Sequence, residues 1–545
     1  AWMFDVTPEG LKRDVAPAGN KRILIVAGVL AVLAIGWYYR GQPTVRVADV
    51  PAGEVGSAKP ASADSPASSD APLQKSIAVL PFVNMSPDPG NQFFSDGISE
   101  ELLNVLVRVP DLGVASRTSS FAYKGKEMGA AEIARELKVS YILEGSVRKA
   151  GDKVRITAQL IDAVHDRHLW SETYDRELTD IFAIQDEIAN AIVSALRGSL
   201  TTAKAAPVVK VHADTENMQA YELYLKAREN FIARRDLSET TGMFQRVVQL
   251  DPKFARGWEG LAAASSVAPS WGQTDRDYFV LARQAAQRAL ELDASLSMPW
   301  AVKSQIIGKT WPIDFSGQLA DLDKAIAADP RNATALLWRG IAWTKLGFFD
   351  RAIADIDRAI AVEPVYLNAI RHKALALLLA GKEEEAIALY ESGFTKGFVY
   401  SRSENFIAPL LARGHRGEAL LLIGVATMAP ELRDAVLTKL DHPETPIANV
   451  RALVERHAAD PEINSATGNL TVSHLYLWLG DYDAVGTSDD RVTTTIIHWD
   501  RYPPSFRNSP AMKLKLEKMG VVAYWRSKGF PPQCRPVGDK DFTCD

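Results

Sequence analysis

Three carboxylates stand close together at Asp96, Glu100 and Glu101. Clustered carboxylates can hold a cation or divide acid–base work between them. These three follow a turn, Ser86-Pro-Asp-Pro-Gly90, where a helix would begin. Acidic groups in a first turn satisfy open N–H groups and oppose the helix dipole, an effect of about 0.5 to 2 kcal/mol. The spacing therefore reads as capping, with Ser95 or Asp96 as the cap. His165 and His168 flank Asp166 and Arg167. A metal would need further ligands at defined geometry, so this stretch reads as a solvated hairpin turn. Gly145 and Gly151 match neither phosphate-loop spacing. Cys534 and Cys544 are the only cysteines. They could form a disulfide, or a redox or metal pair, although they lack CxxC spacing. Trp300, Trp311, Trp338 and Trp343 could contact a ligand, but their spacing suits packing between helices. No nucleophile elbow, zinc motif, P-loop or dinucleotide fingerprint occurs. The reading is non-enzymatic, with no catalytic, metal or cofactor-binding residue and no cofactor.

The elements that carry these residues fall into segments. A chain of 545 residues is too long for one core. Net charge is -5 with no sustained basic run, which argues against a nucleic-acid partner for this chain. Residues 23–39 are uncharged and flanked by Lys12, Arg13, Lys21 and Arg22 on one side, Arg40 and Arg46 on the other. As a helix they would span roughly 25 Å, the short end of what a bilayer needs. The bias of positive charge implies a transmembrane helix, a lipid bilayer as partner, and a cytoplasmic amino terminus. Residues 1–22 read as a cytoplasmic segment cut from something longer. Residues 40–75 are rich in Ala, Pro and Ser and read as a flexible tether.

Residues 76–204 read as one α/β domain. Ser76 to Phe82 is a short apolar run that suits a buried strand. Ile98, Leu102, Leu103, Leu106 and Val107 share helical spacing. Val154, Ile156, Ala158 and Leu160 alternate with polar residues, as a strand with one buried face does. Ile181, Ile184, Ile188, Ile192 and Leu196 form one face of a closing helix.

Two phrases then nearly repeat: Asp323-Lys-Ala-Ile-Ala-Ala-Asp-Pro330 and Asp357-Arg-Ala-Ile-Ala-Val-Glu-Pro364. Their prolines are 34 residues apart, the period of a tetratricopeptide helix pair. Small residues recur where paired helices approach closely: Gly340, Ala352, Ala359, Ala374 and Ala386. Trp343 supplies bulk, and Gly347 and Gly381 mark helix–helix turns. Four to five units fit residues 217–397. Residues 398–545 read as a helical cap with a cysteine-bearing tail. A stack of such units offers a groove for a protein partner. The earlier, irregular units are the place to expect a specialised surface.

Ile77-Ala-Val-Leu-Pro-Phe82, Phe94-Ser-Asp-Gly-Ile-Ser-Glu-Glu-Leu102 and Ile142-Leu-Glu-Gly-Ser-Val-Arg148 resemble the TolB-like amino-terminal domain. Leu169-Trp-Ser-Glu-Thr-Tyr-Asp-Arg176 and Asp180-Ile-Phe-Ala-Ile-Gln-Asp-Glu-Ile188 continue that resemblance in order. It implies a non-catalytic α/β sandwich that precedes tetratricopeptide repeats in bacterial membrane proteins. The tail, with Arg501-Tyr-Pro-Pro-Ser-Phe506 and Gly529-Phe-Pro-Pro-Gln-Cys534, resembles the end of such proteins, closing cysteine pair included. With the carboxyl-terminal domains in the periplasm, a Cys534–Cys544 disulfide is expected. The full expectation is multidomain: a single transmembrane helix, a TolB-like α/β domain, and an all-α solenoid with a helical cap. Its role would be an inner-membrane-anchored periplasmic scaffold that binds protein partners through the groove. The alternative is the sensor half of a transmembrane signalling protein in a cyclase- or winged-helix-linked architecture. The sequence assigns no oligomeric state.

Overall fold

The computed structural model describes residues 4–7, 10–13, 76–196, nearly all of 215–395, parts of 407–484, and 508–545. Residues 1–69 and 70–545 are separate units. In the first, β1 (Phe4–Thr7) and β2 (Gly10–Arg13) form an antiparallel hairpin.

The single transmembrane helix of the expected fold class is corrected here. Among the described residues no helix is long and apolar enough to cross a membrane. Residues 23–39 lie outside the described residues, as does the tether at 40–75.

The second unit opens with β3 (Ser76–Val79), β4 (Val83–Asn84) and the long helix α1 (Gln92–Val107). Then come β5 (Gly113–Val114), α2 (Arg117–Phe121) and α3 (Ala130–Leu137). A three-strand meander follows: β6 (Tyr141–Ala150), β7 (Lys153–Asp162) and β8 (Arg167–Glu177). Helix α4 (Ile181–Ala195) closes the domain. The sheet order is β5-β3-β6-β7-β8, with β4 alongside β6. β3 runs parallel to β5 and β6, and the meander is antiparallel. On β7, Val154, Ile156, Ala158 and Leu160 are buried together. They face α1 and α4, whose Ile98, Leu102, Ile184 and Ile188 share that core. Period-two burial on the strand meets a helical stripe on each cover.

Among the described residues, five helical hairpins follow. They pair α5 (Met218–Ile232) with α6 (Leu237–Leu250), and α7 (Ala255–Val267) with α8 (Tyr278–Leu292). Next are α9 (Met298–Ile307) with α10 (Phe315–Ala328), and α11 (Ala333–Lys345) with α12 (Phe349–Val362). The fifth pairs α13 (Leu367–Leu379) with α14 (Glu383–Thr395). Gly347 and Gly381 carry positive φ at the turns inside the last two pairs. Each turn closes a Schellman motif: Phe348 N–H donates to Trp343 O (3.0 Å), and Lys382 N–H to Leu377 O (2.9 Å). Gly414 repeats the motif with His415 N–H to Leu410 O at 2.9 Å. The turn geometry thus recurs once more beyond the fifth pair.

Helices α15 (Arg416–Val425), α16 (Pro430–Asp441) and α17 (Ile447–Ala459) extend the helical array. The tail holds α18 (Pro510–Lys518), α19 (Val521–Lys528) and a hairpin of β9 (Cys534–Val537) with β10 (Asp541–Cys544). Cys534 and Cys544 form a disulfide across that hairpin.

Candidate protein-docking face

The first helix of each pair touches the first helix of the next, from α5 through α13. Elements that meet along a stack lie on its inner curve. Burial agrees: no residue of α7, α9, α11 or α13 is exposed, whereas α8, α10 and α12 each present exposed residues. The first helices therefore form the inner layer.

Gly340 shows how α11 is oriented. A Cβ there would stand 2.5 Å from Ile356 Cγ1 and 3.1 Å from Ala352 O, both on α12. Ala352, Ala359, Ala374 and Ala386 are fully buried. Pro364 is exposed in the turn between α12 and α13. On the face of α11 opposite Gly340 lie Thr334, Trp338, Ile341 and Lys345, all half-buried. Burial, and Lys309 nearby, lower the Lys345 pKa to about 8. Trp343 points to the turn, where Phe348 stacks edge-on at 5.7 Å and the Arg351 guanidinium lies 4.9 Å from the Trp343 ring. The Lys303 and Lys324 ammonium groups lie 4.4 and 4.3 Å from the Trp300 ring centroid. Trp311 packs on the tail's core.

A charged ladder fixes neighbouring pairs. Arg339 reaches Asp323 on α10 (2.6 Å) and Asp355 on α12 (2.6 Å). Lys373 reaches Asp357 at 2.7 Å. Lys373 and Asp357 each lie 34 residues beyond Arg339 and Asp323. This periodic signal was present in the sequence, but the apolar repeat hid it.

The first two pairs are occupied. Helix α1 starts at Gln92, so Asp96, Glu100 and Glu101 lie inside it rather than in its first turn. The expected capping role is corrected: neither Ser95 nor Asp96 is the cap, and the turn at Pro89–Asn91 starts the helix earlier. Gly97 and Glu101, one turn apart, face α5. A Cβ on Gly97 would stand 2.8 Å from Leu225. Glu101 accepts from Arg228 Nη1 (3.1 Å) and from Arg256 Nη1 at the start of α7 (2.6 Å). Glu100 pairs with Arg228 (2.9 Å) and Arg117 (3.0 Å). Asp96 pairs with Lys124 and accepts from Gln92. Lys149 of β6 pairs with Glu222. Burial pushes the Glu101 carboxyl up, yet Arg256 and Arg228 outweigh it and hold its pKa below the ordinary value. Burial raises Tyr224 to about 12. Further along, Arg331 Nη2 donates to Val114 O of the edge strand β5 at 2.8 Å.

Arg256 is the second residue of α7, as Thr334 is of α11. The α/β domain thus sits on the inner layer of the first pairs. One apolar cluster runs from its sheet through Tyr221, Phe244 and Phe254 to Val302 and Ile306. His165 sits in the β7–β8 turn, its Nδ1 2.9 Å from Asp162 Oδ2, and His168 is exposed on β8. Among the described residues no three His, Cys, Asp or Glu side chains are grouped to hold a metal.

Residues 73–191, the α/β domain, match the family model "HilA/YgeH-like transcriptional regulator, second domain". A Rhizobium meliloti (strain 1021) protein named "Putative adenylate cyclase 3" is 41% identical over 228 residues. That match takes in 41% of this chain and 38% of the relative, so the chain spans well under half of its length. A solved Thermus thermophilus structure, described as a thermophilic TPR protein, shares 19% identity. It covers 37% of this chain and 99% of its own, with a TM-score of 0.29. TolB from Acinetobacter baumannii shares 21% over 24% of this chain and 30% of its own, at 0.18. At such scores neither structure bears on function, and the TolB-like label gains no support.

Proposed function

We propose that this chain is a protein-binding scaffold. The observation that carries the reading is the inner layer of first helices, half-buried at Thr334, Trp338 and Ile341 and opposite the Gly340 packing face. Stacked helix pairs capture a peptide or helix by shape and polar contacts on that layer. The α/β domain fills the start of the layer, so the partner engages the later pairs. No step of covalent chemistry is assigned to the described residues. A photo-crosslinking residue at Trp338 of the full chain, in its native cells, tests this. One protein should be captured saturably, and Ile341→Glu should abolish its capture. Capture that does not saturate, or that ignores Ile341→Glu, sinks the proposal.

A second reading is supported by the α/β match to a transcriptional-regulator model and by the Rhizobium meliloti relative's name. The same body would then serve as the regulatory half of a longer signalling protein, with a cyclase or winged-helix output. Sequence in the same reading frame before Ala1 should encode such an output. A frame that lacks one would end this reading.

We further infer an oxidising compartment, such as the periplasm, from the Cys534–Cys544 bond. Alkylating intact cells without reductant should leave both cysteines unmodified. Two free thiols would contradict it.

A further inference from the structure

The tail touches two different hairpins. Ile313, in the loop of the third, donates its N–H to Met519 O at 2.9 Å. Trp525 Nε1 donates to Leu346 O (3.0 Å), and Gln533 Nε2 to Gly347 O (2.9 Å), both at the turn of the fourth. These carbonyls belong to a helix end, where orphan acceptors need partners. Tyr524 is wedged between the two pairs. Its ring lies 6.3 Å from Phe315 of the third, and 6.4 Å from both Trp343 and Phe348 of the fourth. Gly520 makes the approach possible: its φ is 88°, and a Cβ there would stand 2.5 Å from Ile313 O.

The tail is itself braced. Trp525 is fully buried, with Phe542 at 5.4 Å and Phe530 at 5.3 Å. Asn508 accepts from Cys544 N–H and donates to Cys544 O. Gln533 adjoins the disulfide. On the other side of the stack, Arg331 ties the loop before α11 to β5. Each contact alone is modest. Together they join elements that a free stack links only through neighbouring helix faces.

We propose that the disulfide-closed tail is a strap that fixes the angle between the third and fourth hairpins, and so the curvature of the inner layer. A stack held at one curvature meets a partner without first being ordered, which removes part of the cost of association. The strap needs no identified partner and is independent of which protein the groove takes.

Hydrogen exchange in the full chain tests it at two reporters, the Ile313 N–H and the Trp525 indole N–H. The Tyr221 N–H, which bonds Asn217 O in the first hairpin, serves as reference. Two variants are compared: Tyr524→Ala, which keeps the disulfide, and Cys534→Ser with Cys544→Ser, which keeps the wedge. In both, Ile313 should exchange about tenfold faster or more, with Tyr221 unchanged. X-ray scattering should give a larger radius of gyration for Tyr524→Ala at unchanged helix content. Unchanged Ile313 exchange in both variants overturns the proposal. So does equal acceleration at Tyr221, since the tail would then support global stability rather than one joint.

Discussion

Removing the Glu101 carboxylate should weaken the seat of the α/β domain on the solenoid. Glu101 is 3% exposed, and the side chains of Arg228 and Arg256 are 23% and 15% exposed. Deleting one member of a buried ion pair leaves the other uncompensated, which costs about 3–5 kcal/mol. Two features reduce that figure. The guanidinium groups retain some water, and Arg228 keeps Glu100 at 2.9 Å. The expected loss for Glu101→Ala is therefore about 2–3 kcal/mol. Urea unfolding followed by circular dichroism and fluorescence measures it. The wild-type α/β domain and first hairpins should unfold together, because one apolar cluster runs through both. In a double-mutant cycle with Arg256→Ala, the two changes should couple by about 1–2 kcal/mol.

The pH dependence follows in sign. The Glu101 pKa is depressed in the folded state, so its contribution is present above the unfolded value and fades as pH falls through the lower folded one. Glu101→Gln should flatten part of the acid limb below about pH 4.5, the ordinary carboxyl value. A loss under about 0.5 kcal/mol for Glu101→Ala, or an additive cycle, would refute the argument, because a coupled buried pair cannot give either.

Three further outcomes are expected. Gly340→Val places bulk against Ile356 and Ala352 O, and overpacking of about 1–3 kcal/mol should lower the midpoint in thermal unfolding. Gly347→Ala must hold φ near 82° with a Cβ, a loss of about 1 kcal/mol measurable by the same means. For Lys345, the folded pKa of about 8 lies below its ordinary 10.5. The folded state then binds fewer protons between those values, so stability rises with pH across that window. Lys345→Met should remove this slope. A pH dependence unchanged from wild type between about pH 8 and 10.5 would count against the burial penalty.

The repeat was legible because it is local. Prolines 34 apart, Gly340, and the turn glycines at 347 and 381 each answer to contacts within one helix pair. Gly414 carries the same turn, but without a second near-copy of the proline phrase it did not stand out. The ladder from Arg339 to Asp323 was readable in principle, since Lys373 and Asp357 repeat it. The role of Glu101 was not. Its partners lie 127 and 155 residues away, and only the folded chain joins them. The capping reading failed for a related reason. It weighed the acids against their own helix, whereas their cationic partners come from α2, α5 and α7 and from the segment after α2.

The irregularity of the early hairpins has a physical origin in this docking. Helix α1 spends its apolar stripe, Phe94, Ile98, Leu102 and Leu106, on its own sheet. Toward α5 it presents Gly97, Glu100 and Glu101. A surface built from them needs a small contact point and matching guanidinium groups, which Leu225, Arg228 and Arg256 supply. Hairpins under that demand depart from the regular repeat pattern, while those at Gly340 and Ala374, which form no ion pair with α1, keep it. Irregular units were the expected place for a specialised surface, and their specialisation is toward the chain's own domain. On the scaffold reading proposed above, a partner in trans would engage the more regular pairs, through residues that the packing pattern does not constrain: Thr334, Trp338, Ile341 and their neighbours on the inner layer.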